Sequence, residues 1–372
     1  MRPKVQYPRR VFVRSALKTI GRLVGSTLAK PEIRGLENLP EKGPLILVGN
    51  HVAIVEAGLM ATYTPYPLEI MAAGDIPLDP RFGWMADLYG IIPIRRGSMD
   101  RAGMDMALDV LSQGGVLGLF PEGGIWETSI KQARAGVAWL SNKSQAPVVP
   151  IGFGGIEGAL GAMGRFRRPR LVMNIGKMIP PVSLDTPGRS RKELLAENAN
   201  MIMEQVTQLI PEEERGIRLL PYIHERFEFR LRVRDASGTE VEAPDEVTIA
   251  DGWALSKFFH RPVMMDVFTR NLRLPVRPLN QLRKFHDPRD VASATQAILN
   301  YLSTNEYFFH YRFGHAEGEA MNRGLQQLHD SAVWLQENHP GWTMKLRPIR
   351  RYTLRDTNQE VEEEEPAPMQ DM

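Results

Sequence analysis

His51 stands five residues before Glu56, in a stretch that begins as the apolar run 45–48, breaks at Gly49-Asn50 and turns apolar again after the histidine. A neutral imidazole with a carboxylate on its other nitrogen has the make-up of a general base. Five residues along a regular helix is roughly a 140° rotation. The two side chains therefore meet only if His51 lies in the turn before a helix and Glu56 points back from its first turns. In that position the positive end of the helix would disfavour imidazolium and keep the ring uncharged. A His and a Glu that merely satisfy each other near a surface would show the same spacing.

The elements that position such a pair are a strand, a break and a helix. An apolar run ended by Gly-Asn delivers a side chain to the end of a buried strand, and open α/β sheets bind ligands beyond their C-terminal strand ends. Downstream, strand patterns recur at 68–72, 90–96, 116–120, 147–152 and 171–175, with helical patterns at 84–89, 100–113, 133–141 and 191–209. This alternation predicts an α/β fold, a mostly parallel sheet covered by helices. Proline cannot donate to a strand ladder, so Pro150 is expected at a strand end.

With 372 residues the chain can bury a large core and form two or three domains. There is no cysteine, which excludes disulfides, thiolate catalysis and cysteine-ligated zinc, and fits a cytosolic compartment. The net charge of +2 is unevenly placed: residues 1–31 hold eight Lys or Arg and no acid, whereas 360–365 is acidic. Residues 11–30 read as an amphipathic helix. Val13, Ala16, Leu17, Ile20, Leu23, Val24 and Leu28 share one face, and Arg14, Lys18 and Arg22 repeat every four residues on another. That pattern suits a helix lying on an anionic membrane surface. No apolar run reaches membrane-spanning length, and the N-terminus lacks the layout of a cleavable signal peptide. The expected location is cytoplasmic, peripherally associated with the inner face of the membrane; nucleic acid is not an expected partner.

After a break at 211–216 the pattern changes. Phe227, Phe229, Leu231 and Val233 alternate with charged residues, 235–238 turns the chain into a hairpin, and helical patterns follow at 253–268, 288–302 and 317–338. The histidines between His224 and His339 show no metal-ligand spacing. The expected organisation is a basic amphipathic helix at 1–31, a catalytic α/β domain at 32–210, a smaller α+β region of unassigned role at 216–355, and a solvated, disordered acidic tail at 356–372.

Four marks follow one another at strand ends: Asn50-His51 with Glu56, Gly90 to Arg96, Phe120-Pro121-Glu122-Gly123, and Val149-Pro150-Ile151. In this order they resemble the glycerolipid acyltransferase family, as does Gly35-Leu36-Glu37-Asn38-Leu39-Pro40 upstream; the likeness covers about residues 10–210. The resemblance implies that His51 is the base for acyl transfer and that Glu56, standing where the family has Asp, orients it. It further implies that Arg96, with Arg95 beside it, holds an acceptor phosphate, and that Glu122 and Gly123 shape the acceptor or oxyanion site. The third motif departs from the family's Phe-Pro-Glu-Gly-Thr-Arg-Ser, because Gly124-Ile125-Trp126 follows Gly123. Its arginine is missing, and Arg134 or Lys131 a few residues on are the candidates to substitute for it. Trp126 could re-line the pocket for another head group.

The implied activity is transfer of a fatty acyl group from acyl-CoA or acyl carrier protein to the hydroxyl of a lysophosphatidic acid-like lysophospholipid, in phospholipid biosynthesis. No metal or further cofactor is expected, and no acyl-enzyme, since no Ser or Cys sits in a nucleophile elbow. The alternatives are a different lipid acceptor (a glycolipid or an aminolipid), a thioesterase or lipase-like hydrolase, and a non-catalytic membrane lipid-binding protein.

Overall fold

The strand expected before His51 is present in the computed structural model, which describes residues 5–51, 53–74, 80–95, 100–121, 134–185, 188–215, 222–259, 271–273, 284–305, 315–354 and 357–364. The chain divides into two compact units, one built chiefly of residues up to Ile217 and the other chiefly of residues from Arg218 onward.

In the first unit, α1 (Val11–Leu28) leads into β1 (Lys30–Arg34), β2 (Leu45–Gly49), α2 (Val55–Tyr63), β3 (Glu69–Ala73), the part of α3 (Pro80–Tyr89) from Trp84 on, and β4 (Ile92–Ile94). There follow α4 (Arg101–Ser112), β5 (Val116–Leu119), α5 (Gly136–Ser144), β6 (Val148–Gly154), α6 (Ala159–Gly164), β7 (Arg170–Ile175), α7 (Arg191–Leu209) and α8 (Glu212–Arg215). The strands form one seven-stranded sheet in the order β1-β7-β6-β2-β5-β3-β4, parallel throughout except between β6 and β7. Strand β1 at the edge had no counterpart among the expected strands: Lys30-Pro31-Glu32-Ile33-Arg34 has one aliphatic residue, and only pairing with β7 makes it a strand.

β2 is the middle strand, buried at all five positions. Its residues alternate between two cores. Ile46 and Val48 pack with α4, α5 and α7, while Leu45 and Leu47 pack with α2 and the start of α6. Burial on both faces makes the strand read as continuously apolar, and each such side chain contributes about 1.5–3 kcal/mol. Pro150 lies inside β6, not at its end as expected. The residue is tolerated because it falls between the isolated bridge Val148–Ile179 and the β7 ladder that starts at Ile151–Ile175.

The orientation of α1 overturns the expectation from its sequence. The basic stripe faces the protein. Arg14 is 4% exposed against fully buried Glu69, Lys18 donates through Nζ to the Thr64 carbonyl, and Arg22 Nε donates to the Thr62 carbonyl (3.3 Å). Lys18 and Arg22 thus cap C-terminal carbonyls of α2, which the helix itself leaves unpaired. Burial, and secondly the neighbouring Arg22, hold the Lys18 ammonium below its ordinary pKa. The seam is completed by Gly21 and Gly25, where a Cβ would meet Thr62 Oγ1 at 2.5 Å and Tyr63 Oη at 2.8 Å. Several of the apolar residues point outward: Phe12 is 88% exposed and Leu23 67%, with Val11, Ile20 and Val24 exposed beside them, while Val13, Leu17 and Leu28 are half-buried. Among the described residues no helix is long and apolar enough to cross a membrane.

The second unit holds a four-stranded antiparallel sheet of β8 (Tyr222–Arg234), β9 (Glu240–Val241), β10 (Thr343–Leu354) and β11 (Glu360–Glu364), in the order β11-β10-β8-β9. The hairpin turn is built by Asp235, whose Oδ1 accepts from the Ser237 and Thr239 N–H groups. Among the described residues this unit also holds helices α9 (Gly252–Phe259), α10 (Pro288–Thr304) and α11 (His315–Asn338); Val291 and Leu328 line a small cavity with Leu231, Met344 and Leu346 of the sheet. The disordered tail expected from Asp356 is corrected over Glu360–Glu364, which forms a strand on β10. Its alternating glutamates find an arginine row: Arg226–Glu360 (2.8 Å), Arg351–Glu362 (2.7 Å) and Arg347–Glu364 (3.1 Å). Each surface pair contributes little alone, but the alternation matches one register of the strand.

Candidate active site

β2 ends at Gly49, so Asn50 and His51 emerge at the C-terminal edge of the sheet before α2 begins at Val55. The turn is fixed by a partner far along the chain. Asn50 is buried, its Nδ2 donates to the Phe153 carbonyl (3.1 Å), and its Oδ1 accepts from the Phe153 N–H (2.8 Å). The His51 ring lies on Phe120, with centroids 4.3 Å apart and planes 19° from parallel. Phe120 is braced in turn by Phe153, at 6.4 Å and 47°.

Gly49 makes room for this stack. A Cβ there would come within 2.5 Å of Phe153 Cε2 and 3.3 Å of Phe120 Cε1. Gly49→Ala is therefore expected to destabilise the fold by about 1–3 kcal/mol through overpacking, read as a lower midpoint in urea unfolding. An unchanged midpoint would show that the two rings move aside freely.

Glu56 lies in the first turn of α2 and is 0% exposed. Both carboxylate oxygens accept from the Ala53 N–H, at 3.0 and 3.1 Å. The acid thereby satisfies a donor that the helix start leaves open and sits at the helix's positive end. His51 Nδ1 is 3.8 Å from Glu56 Oε1, an ion-pair distance that exceeds a hydrogen bond. Bonds of this kind are often long without substrate and tighten as charge develops on the ring. The ring is partly open, at 19% side-chain exposure. A half-open imidazole, stacked on one face and fixed beside a buried carboxylate, can take a proton from an approaching hydroxyl through its other nitrogen.

The structure thus brings His51 and Glu56 together, the histidine in the turn and the glutamate pointing back at it. Arg95 follows the last residue of β4 and is exposed; its N–H donates to Asp100 Oδ2 (2.8 Å), while Asp100 Oδ1 caps α4 through the Gly103 N–H (3.1 Å). Arg96, Glu122, Gly123, Trp126 and Lys131 lie outside the described residues. Arg134 is exposed, and its N–H returns to the Pro121 carbonyl (3.1 Å) at the end of the third motif's strand. Among the described residues, no group of three or more His, Asp or Glu could hold a metal ion. Sequence reading missed the bracing roles of Asn50, Phe120 and Phe153. The one available signal was Phe120 itself, an aromatic at a strand end directly before Pro121.

Residues 30–154 match the family described as Acyltransferase. A 1-acyl-sn-glycerol-3-phosphate acyltransferase of Borreliella burgdorferi is 29% identical over 93 residues, which is 24% of this chain and 37% of that protein's length. A protein of the same description from Bacillus subtilis is 22% identical over 199 residues, 53% of this chain and 95% of its own. The crystal structure of the 1-acyl-sn-glycerophosphate acyltransferase of Thermotoga maritima is 19% identical, covers 54% of this chain and 83% of its own, and superposes with a TM-score of 0.39.

Proposed function

We propose, from the match of residues 30–154 to the Acyltransferase family, that this chain moves a fatty acyl group from acyl-CoA or acyl carrier protein to the hydroxyl of a lysophosphatidic acid-like lysophospholipid. The observation that supports this reading most directly is the His51–Glu56 pair, 3.8 Å apart at the C-terminal edge of the central strand.

In this reading Nδ1 of His51 faces Glu56, so Nε2 takes the acceptor hydroxyl proton as the alcohol oxygen attacks the thioester carbonyl. Glu56 offsets the imidazolium charge that appears at that moment. Collapse of the tetrahedral intermediate breaks the carbon–sulfur bond, and the imidazolium returns its proton to the departing thiolate. Phe120 and Phe153 hold the ring's plane during both transfers. Arg95 and Arg96 are assigned to the acceptor phosphate, for which a planar, permanently charged guanidinium is suited. Strands β2 and β4 are separated by β5 and β3. That places their axes roughly 14 Å apart at about 4.8 Å per strand, a span for an arginine side chain and a glycerol phosphate together. Glu122 and Gly123 are assigned to shaping the acceptor or oxyanion site.

The outward apolar face of α1 is assigned to a lipid surface, so the protein works as a peripheral membrane enzyme. Because Arg14 and Lys18 are used internally, this attachment depends on buried apolar area more than on anionic lipid.

The departure from the family's third motif after Gly123 motivates a second reading, transfer to a glycolipid or aminolipid. Mass spectrometry of the lipids made by purified protein from mixed acyl donors and a panel of lyso-acceptors separates the two. Lysophosphatidic acid is expected to be acylated fastest. Preference for uncharged acceptors would remove the phosphate role of Arg95 and Arg96, and free fatty acid at equal rates with and without acceptor would indicate a hydrolase.

A further inference from the structure

Glu69 opens β3 and is 0% exposed, yet the chemistry above does not use it. Two guanidinium groups from the N-terminal segment converge on it. Arg14 binds end-on, Nη1 to Oε1 at 2.6 Å and Nη2 to Oε2 at 2.8 Å. Arg9 adds Nε at 3.2 and 3.0 Å from the two oxygens and Nη2 at 2.8 Å from Oε2. Such a buried cluster is costly to desolvate, and an apolar core of equal volume would serve stability as well or better. What the ionic cluster adds is orientation.

The donors left over show what is oriented. Arg14 Nε donates to the Tyr89 carbonyl (3.1 Å), and Arg9 Nη2 and Arg14 Nη2 donate to the Gly90 carbonyl (2.6 and 3.2 Å). Arg10 Nη1 takes the Asp87 and Leu88 carbonyls. Four successive carbonyls, the open C-terminal end of α3 and the residue after it, are thus held by three arginines. Arg14 also lies over the Tyr89 ring, 4.7 Å from its centroid, while the Tyr89 hydroxyl donates to the Leu68 carbonyl (2.6 Å), next to Glu69. Gly90 has φ +75, where glycine is favoured, and a Cβ on it would also press on the Arg10 guanidinium at 2.9 Å and disturb its hold on the α3 carbonyls. Two residues later β4 begins, and it ends at Ile94, directly before Arg95, whose N–H is pinned by Asp100.

We infer that Glu69, clamped between Arg9 and Arg14, is a positioning residue for the acceptor phosphate: it fixes the start of β4 and so the direction in which the strand delivers Arg95 just past its end. The cluster lies at the N-terminal edge of the sheet and touches no reacting group. Its effect belongs in acceptor binding, not in the proton transfers at His51. This inference rests on the lysophospholipid reading of the site.

The test compares Glu69→Gln and Arg9→Met with the parent protein, using one acyl donor and two acceptors that differ only in the phosphate, a 1-acylglycerol 3-phosphate and the matching monoacylglycerol. Arg9→Met leaves the Arg14–Glu69 pair intact and keeps the test valid if Glu69→Gln fails to fold. Small displacements of binding groups have large kinetic effects, so KM for the phosphate acceptor is expected to rise about tenfold. The value of kcat, KM for the donor and both constants for monoacylglycerol should stay within about threefold. Arg9→Lys, which keeps the charge, should recover much of the loss. Equal losses on both acceptors would mean a merely structural role and overturn the inference, as would an unchanged KM in the folded variants. Amide hydrogen exchange at Ile92, Ile94 and Arg95 gives a readout independent of activity, and it should speed up in both variants. Faster exchange in a protein that acylates neither acceptor would sink the functional reading and leave the positioning role standing; unchanged exchange would remove the positioning role itself.

Discussion

His51→Ala is expected to lower the rate of acyl transfer by about a thousandfold, the scale of a lost general base, while the protein stays folded. The side chain is partly exposed and stacked on Phe120, so its removal opens a shallow notch in place of a core cavity. Circular dichroism and the unfolding midpoint should change little. The effect should appear in kcat, because the proton is taken as the new bond forms and not when the acceptor binds. Glu56→Gln is the informative companion. It keeps the shape and one acceptor oxygen for the Ala53 N–H but removes the charge that stabilises imidazolium. A smaller loss than that of His51→Ala is expected. Retention of transfer within a few-fold of the parent by His51→Ala would rule out this histidine as the base.

The second large effect concerns α1. Replacing Phe12 and Leu23 together by aspartate should lower partitioning onto lipid vesicles at least about a hundredfold, since each side chain contributes about 1.5–3 kcal/mol when taken from water into an apolar phase. Both are well exposed in the folded protein, so folding stability should be nearly unaffected. Co-sedimentation with purely zwitterionic vesicles is the measurement to choose, because Arg14 and Lys18 are committed to Glu69 and the Thr64 carbonyl and are not presented to lipid. Vesicle binding by the double variant equal to that of the parent would reject α1 as the attachment face. Binding that needs anionic lipid would put the attraction in other cations.

How much of this could be read before the structure depended on the range of the interactions. The strand before His51, its break at Gly49-Asn50 and the helix bearing Glu56 are local, and the five-residue spacing admits few geometries. Those elements are in the fold where residue pattern put them. α1 shows the opposite case. Its periodicity correctly gave a helix, but hydrophobicity assigned the apolar side to the protein or a membrane and the cations to an anionic surface. The seam is instead made by cations and glycines, because Glu69 lies 55 residues from Arg14 and Thr62 and Tyr63 leave no room for a Cβ at Gly21 or Gly25. A sequence window contains neither fact. The acidic strand 360–364 failed for the same reason: a run of glutamate reads as solvated until the arginines of β8 and β10 stand opposite it.

By itself the sequence determined the alternating α/β layout, the candidate base with its carboxylate and the order of the strand-end motifs, since each rests on local periodicity or spacing. Only the tertiary structure decided which way α1 faces, that Asn50 ties the histidine's turn to Phe153 across 103 residues of chain, and that a buried glutamate gathers the arginines holding the start of β4. The physical reason is that burial and ion pairing depend on what lies opposite in space, and the chain brings that partner into place only on folding.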